Sequence, residues 1–449
     1  MIKDFFQNFK DNFPIKLFFI AIGIWILLAL GNFILYQNHY YTGVGILYPF
    51  SVIYPNAFLW SGFLFAFGFL ILGFYALKNI QKLGLFYLFL LCFLLIFFGN
   101  LAQGNADIAF MQPFYLKGRQ YYTDAIHIQN WQIWLRDFNH NLDTFQLHTK
   151  THPPFATLLH YFILKLFNGN ILSLGIVFFL IAFSCVPVFY KCLKLLNFTT
   201  ENAKNITLLF CIIPSVNIYS LVSIDGIILA LTVFFLYGLL LILKSKSLNF
   251  LGVFLTIISF ILINCLSFSG LFLIAFLGVL SLIDVFKKDF KLIGLGIIII
   301  ITSVLFFYFL NYFTGYNHFE TFQKASHSEN PYGFMLFVHP KIYFFTRLED
   351  IGEILFFLSF AIVAVLISRK FLKIKNLPQR SIFYSAIMAL SVMFLTGAYG
   401  TGETARACLF IVPFIVILFQ NLEKKTFEVL FILCLLQCFG MQMIANFYW

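Results

Sequence analysis

Two histidines and a lysine alternate with threonines in Leu147-His148-Thr149-Lys150-Thr151-His152-Pro153-Pro154-Phe155. Imidazole and ammonium groups crowded into one corner suit a phosphate or an anionic headgroup. A divalent metal is the weaker alternative, because a His pair four residues apart supplies only two of the three or more ligands required. The plainest reading of His-Pro-Pro alone is a helix start, where proline is welcome in the first turn. Upstream, Tyr121-Tyr122-Thr123-Asp124-Ala125-Ile126-His127 offers Asp124 as a general base, with Asp107 as its rival. Downstream, Ser223-Ile224-Asp225-Gly226 sets an Asp at a helix start, where an N-cap is the simplest role and substrate contact the alternative. Glu403 and Arg406 stand three apart at the head of an apolar run. A guanidinium one turn inside such a run is paired or functional, and its planar fork fits a phosphate. Glu349, Asp350 and Glu353 read as a solvated capping cluster, and Tyr332 as a ring that stacks on a sugar or anchors at an interface.

These residues are carried by an apolar chain. Of 449 residues, 61% are hydrophobic and only 10% charged, and the mean hydropathy is +0.92. A soluble domain carries about 25% charged residues. Apolar runs long enough to cross about 30 Å of hydrocarbon as helix recur throughout, without the short alternating segments of a membrane β-barrel. They predict an all-α, polytopic transmembrane bundle in one domain, 1–449, of about 13 spans: 17–36, 57–76, 83–99, 171–190, 205–222, 226–243, 249–266, 269–286, 292–310, 351–367, 381–395, 404–419 and 426–444. The first run is too long for the core of a signal peptide and lacks a small-residue cleavage site after it, so it is expected to stay on the protein. The eight cysteines lie in or at the ends of apolar runs without a CxxC pair, which predicts neither disulfides nor a thiolate metal site.

A net charge of +11 suggests nucleic acid, but the basic residues fall in short clusters between apolar runs, the pattern of the positive-inside rule and not of a basic groove. The segment 152–167 decides topology. It is apolar but short, with Thr157, His160, Tyr161 and Lys165 at helical spacing, as in a helix lying in the interface with its polar side toward headgroups. If it does not cross, most of the 29 basic residues, including the cluster Arg369-Lys370-Phe371-Leu372-Lys373-Ile374-Lys375, fall on the cytoplasmic side as the positive-inside rule requires. Two large loops, 100–151 and 311–350, then face outward with all nine histidines on their side or at its interface. The first is the expected catalytic loop.

The stretch His148-Thr149-Lys150-Thr151-His152-Pro153-Pro154 resembles the H-x-[RK]-T-H-P-P-G signature of bacterial GT-C-type glycosyltransferases, relatives of the protein O-mannosyltransferases and aminoarabinose transferases. Phe155 stands where that pattern has Gly. Pro214 followed by Ser223-Ile224-Asp225-Gly226, Asn330-Pro331-Tyr332, and Gly402-Glu403-Thr404-Ala405-Arg406 resemble further motifs of the family in the family's order, so the likeness covers most of 100–420. It implies a bundle of eleven to thirteen spans with interfacial helices in the first outer loop, in a bacterial inner membrane with the site on the periplasmic or exterior face. It implies a polyprenyl-phosphate sugar as donor and an acceptor that is lipid, glycan or protein. It also implies an acidic catalytic residue in the first outer loop (Asp124, or Asp107), phosphate contacts from Arg406, His152, His148 and Lys150, and substrate contacts from Glu403, Asp225 and Tyr332. No cofactor is required, and a divalent metal stays open.

Two rivals come from other classes. A carrier or flippase of lipid-linked sugars would need helices broken by Gly or Pro in two matching halves, which the sequence does not display. An O-antigen ligase or polymerase would gather arginines in its outer loops, where only Arg119, Arg136 and Arg347 occur.

Overall fold

The computed structural model describes residues 2–38, 54–55, 59–116, 121–245, 247–286, 288–368, 377–397 and 403–446. Arg119, Lys246, Lys287, Gly402 and the basic cluster 369–375 lie outside the described residues. Apart from a two-residue antiparallel pairing of Tyr54–Pro55 with Ala445–Asn446, the described chain is helical.

Among the described residues, five helices are long and apolar enough to cross a membrane: Trp60–Lys82, Ile171–Leu195, Ile224–Lys244, Lys291–Thr314 and Lys424–Ile444. A bent pair, Pro340–Leu358 with Phe360–Ile367, makes a sixth if counted as one span. Shorter apolar helices such as Leu85–Leu101, Phe250–Leu266 and Gly270–Val285 pack among them. The chain is thus a multi-pass integral membrane protein. Lys291–Thr314 displays Ile297, Ile301, Leu305, Phe309 and Phe313 outward, as a helix in contact with lipid does. Ile224–Lys244 lies at the centre and is mostly buried. It meets Phe250–Leu266 through Gly238 and Gly252, where a Cβ on either glycine would come within 2.7 Å of the other's carbonyl oxygen. Small residues at such crossings let backbones approach and gain packing that lipid cannot supply.

Three expected spans are not straight. The run expected at 205–222 ends as a helix at Ile212 and restarts at Pro214, whose missing N–H cannot continue the ladder. Asn217 donates to the freed Cys211 carbonyl at 2.9 Å, while Gln442 donates to its side-chain oxygen at 3.0 Å. The run at 404–419 divides into Thr404–Ala407, Leu409–Ile411, Val412–Val416 and Ile417–Asn421 around Pro413. The run at 351–367 bends by 102° at Ser359, whose φ is +93°. Gln437 bridges that break: its Nε2 donates to Phe356 at 2.8 Å, and its Oε1 accepts from Phe360 N at 3.0 Å. Individual helices are therefore broken, at Pro214, Ser359 and Pro413. Side-chain amides make such breaks tolerable by satisfying backbone groups that lipid cannot.

The first loop is a chain of short helices, among them Ala106–Phe110, Tyr121–Ala125, Trp131–Arg136 and Leu147–Thr151, followed by Phe155–Leu166. Twelve residues reach only about 18 Å, well short of the membrane core. Its polar stripe does not face outward as expected. Thr157, His160 and Tyr161 are buried against Tyr121–Ala125 and its neighbours, and only Lys165 is exposed. Buried hydroxyl and imidazole groups find protein partners there: Thr157 Oγ1 meets Thr149 Oγ1 at 3.1 Å, and His160 Nδ1 donates to the Ala156 carbonyl at 2.8 Å.

The two large loops dock on each other. Asn139 Nδ2 donates to the Asn317 carbonyl at 3.0 Å and to Thr321 Oγ1 at 2.9 Å, and Lys324 Nζ donates to the Asn139 carbonyl at 2.8 Å. Phe138 packs edge-on against Tyr316. Both loops consequently lie at one end of the bundle.

Candidate functional site

Arg406 is carried by the short helix Thr404–Ala407 and is only 9% exposed. Its Nη2 pairs with Glu403 Oε2 one turn back, and its Nε lies 3.2 Å from Asp225 Oδ2 at the head of the central helix. Asp225 is not the N-cap. Ser223 fills that role, its Oγ accepting from Gly226 N at 3.0 Å, which leaves the Asp225 carboxylate to meet the guanidinium. Two carboxylates against one guanidinium leave this cluster with excess negative charge.

The first loop closes over the cluster. Tyr121 is buried, with its ring 5.8 Å from that of His148, 5.6 Å from His152 and 5.5 Å from His160. Burial, then the charges of Asp225 and Glu403 outweighing that of Arg406, hold its phenol well above its ordinary pKa, so it stays a hydrogen-bond donor. His152 is pushed down to about 3, by burial first and then by His148 and the Arg406 cation, against Glu403. Its Nδ1 donates to the His148 carbonyl at 3.1 Å, which fixes the tautomer and leaves Nε2 as a lone-pair acceptor. A neutral imidazole in this state accepts a hydroxyl proton. Lys150 turns to exposed Asp143, with Nζ 2.6 Å from Oδ1.

Asp124 is half-buried, and its Oδ2 accepts from Gln146 N at 3.0 Å, fastening the start of Leu147–Thr151. Burial raises its carboxyl pKa, opposed by Thr149, the Gln146 amide and His127. Asp107 accepts from Gln112 Nε2 at 2.7 Å and from the Tyr115 hydroxyl at 3.2 Å. Tyr332 is 80% exposed and does not join the buried cluster. Of the expected residues, the fold brings together Asp225, Glu403, Arg406 and the histidine pair, and leaves Lys150 and Tyr332 apart.

Sequence reasoning missed two features. Tyr121, named only as part of its motif, lies at the centre of the ring cluster. Glu349, Asp350 and Glu353 are fully buried, so their reading as solvated caps is corrected. Asp350 Oδ2 pairs with Arg347 Nη2 at 2.9 Å, and Asp350 Oδ1 accepts from the Thr404 hydroxyl. Glu353 accepts from the backbone N–H groups of Thr404 and Ala405, each at 3.3 Å. Three carboxylates within five residues at the entry to an apolar run were the available signal. Among the described residues, no group of three or more His, Cys, Asp or Glu side chains is placed to hold a metal ion.

Fold and composition define a multi-pass, α-helical integral membrane protein with a buried ionic cluster under a docked pair of loops. No protein-family model, curated protein or solved structure matches this chain.

Proposed function

We propose that this protein is an inverting GT-C-type glycosyltransferase of about 13 spans, moving a sugar from a polyprenyl-phosphate donor to an acceptor on the non-cytoplasmic face of a bacterial inner membrane. One observation carries the reading. Residues from four distant motifs, Tyr121, His152, Asp225 and the Glu403–Arg406 pair, converge on a single buried cluster beneath the two loops. A structural ion pair alone does not need a loop bearing a base and a neutral histidine above it.

In this reading the acceptor hydroxyl attacks the anomeric carbon as the bond to the phosphate oxygen breaks, and the phosphate leaves with the electron pair. Asp124, its carboxyl pKa raised by burial, takes the hydroxyl proton. Arg406 receives the phosphate charge. Glu403 is the more exposed of its partners, 31% against 18% for Asp225, and is the one a phosphate would exchange with. His152 Nε2 accepts from a sugar hydroxyl. The acceptor class, whether lipid, glycan or protein, is left to experiment.

The breaks at Pro214, Ser359 and Pro413 favour a second reading, a carrier of lipid-linked sugars, because discontinuous helices line many transport sites. One preparation tests both. Purified protein supplied with polyprenyl-phosphate sugar and an envelope extract should release polyprenyl phosphate and glycosylate a component of that extract. Movement of intact donor across vesicle bilayers without release would sink the enzyme reading.

A further inference from the structure

Glu353 and Asp350, on the helix Pro340–Leu358, meet the turn that carries Arg406 from one side. Glu353 accepts the N–H groups of both Thr404 and Ala405, and Asp350 accepts the Thr404 hydroxyl. The first N–H groups of a helix have no partner within it. The turn Thr404–Ala407 is four residues long and cannot hold its own geometry by helical bonding. Its orientation is accordingly set from outside.

The same side chains lead to a third helix. Arg347 pairs with Asp350, and its Nη1 donates to the Phe394 carbonyl at 2.7 Å, while the Tyr343 hydroxyl donates to the Leu395 carbonyl at 2.8 Å. The end of Leu377–Leu395 and the start of the Arg406 turn are thus both fastened to Pro340–Leu358. Both carboxylates are fully buried, where a carboxylate is costly unless it is engaged.

We infer that Glu353 and Asp350 are positioning residues that set the Thr404–Ala407 turn so that Arg406 faces the leaving phosphate. This rests on the glycosyltransferase reading. It extends it by giving a function to carboxylates outside the contacts proposed for donor and acceptor. Arg406 must be aimed to within a fraction of an ångström for bidentate contact, and misplacement of about 1 Å costs roughly a hundredfold in rate.

The test is a double-mutant cycle in purified protein, with polyprenyl-phosphate sugar as the probe. Glu353→Gln keeps the shape but presents an amide to the two N–H groups, and should lower kcat/KM by about ten- to a hundredfold. In an Arg406→Ala background the same change should cost little, because the group it positions is gone. Thr404→Val should behave as a milder Glu353→Gln, and Thr404→Ser should restore activity, which keeps the test open should Glu353→Gln fail to fold. Equal losses from Glu353→Gln with and without Arg406, or full activity in Thr404→Val and Glu353→Gln alike, overturn the positioning role while wild-type turnover stands. Absence of turnover in the wild type overturns the glycosyltransferase reading itself, and the positioning role with it.

Discussion

Arg406 Nε lies 3.2 Å from Asp225 Oδ2, so the guanidinium that begins a late helical turn is held by the first turn of the central helix. Glu403 engages the same guanidinium from its own segment. Removing the cation leaves two carboxylates facing each other with little water, a loss of about 3–5 kcal/mol for a buried pair. Arg406→Ala is therefore expected to weaken donor-lipid binding and to lower thermal stability together. Lys restores charge without the planar fork and should rescue binding only in part. Donor affinity equal to wild type in the Ala variant would assign Arg406 to structure alone.

Asp124 separates chemistry from scaffolding. If it is the base, Asp124→Asn should cut turnover by about a hundredfold or more with donor binding nearly unchanged. Its Oδ2 also holds the Gln146 amide, a bond the Asn side-chain oxygen can keep. Near-normal turnover in Asp124→Asn, with loss in Asp107→Asn, moves the role to Asp107.

Stability should fall in acid for a stated reason. In the fold His152 is held down to about 3, and His160 and His318 to about 4, each chiefly by burial, against 6.5 as the ordinary value. Below about pH 6.5 the unfolded chain takes up protons the folded one refuses, so their contribution is complete above that pH and drains away toward pH 4 and 3. Asp124 works oppositely, since its raised pKa favours the fold at low pH and loses that contribution as pH rises through it. Glu329, its carboxyl raised chiefly by burial, works in the same direction as Asp124, so the histidine contribution is read from the difference between wild type and a histidine variant. Thermal midpoints in detergent should drop between pH 6.5 and 4.5, and less so in His160→Phe, which keeps a ring against Tyr121. Identical pH profiles in the two proteins would refute this account.

The bend at Ser359 depends on one amide. Gln437→Leu leaves the Phe360 N–H without its acceptor, at a cost of about 1–3 kcal/mol, while the Phe356 carbonyl keeps the Ser359 N–H at 3.1 Å. A thermal midpoint in detergent lowered by several degrees is expected. An unchanged midpoint would mean that the break is satisfied otherwise.

Sidedness can be read with impermeant thiol reagents. Asn139 is a poor probe position because its side chain ties the two loops, whereas Asn141 is exposed. Cysteines at Asn141 and Asn168 should both label from the non-cytoplasmic side. Labelling of Asn168→Cys from the cytoplasm alone would mean that 152–167 crosses, and the two docked loops could not then share a face.

The membrane class was legible in the sequence because hydrocarbon thickness imposes a length on every apolar run, and length and composition are local properties. Arg406, Glu403 and Asp225 were legible as candidates for a related reason: a charge at the edge of an apolar helix needs a partner or a task. The sequence did not show which partner. Asp225 suited a cap, and only the tertiary structure decided that Ser223 caps and the aspartate pairs with the approaching Arg406 turn. The polar stripe of Phe155–Leu166 had the spacing of an interfacial helix, but periodicity gives a face and not what covers it; Tyr121 covers it. Glu353 and Asp350 resembled solvated caps because their partners are backbone N–H groups of Thr404 and Ala405 and a hydroxyl, and such groups leave no mark in a sequence. Residue types announce which groups must be satisfied, and tertiary structure alone chooses among the partners that can satisfy them.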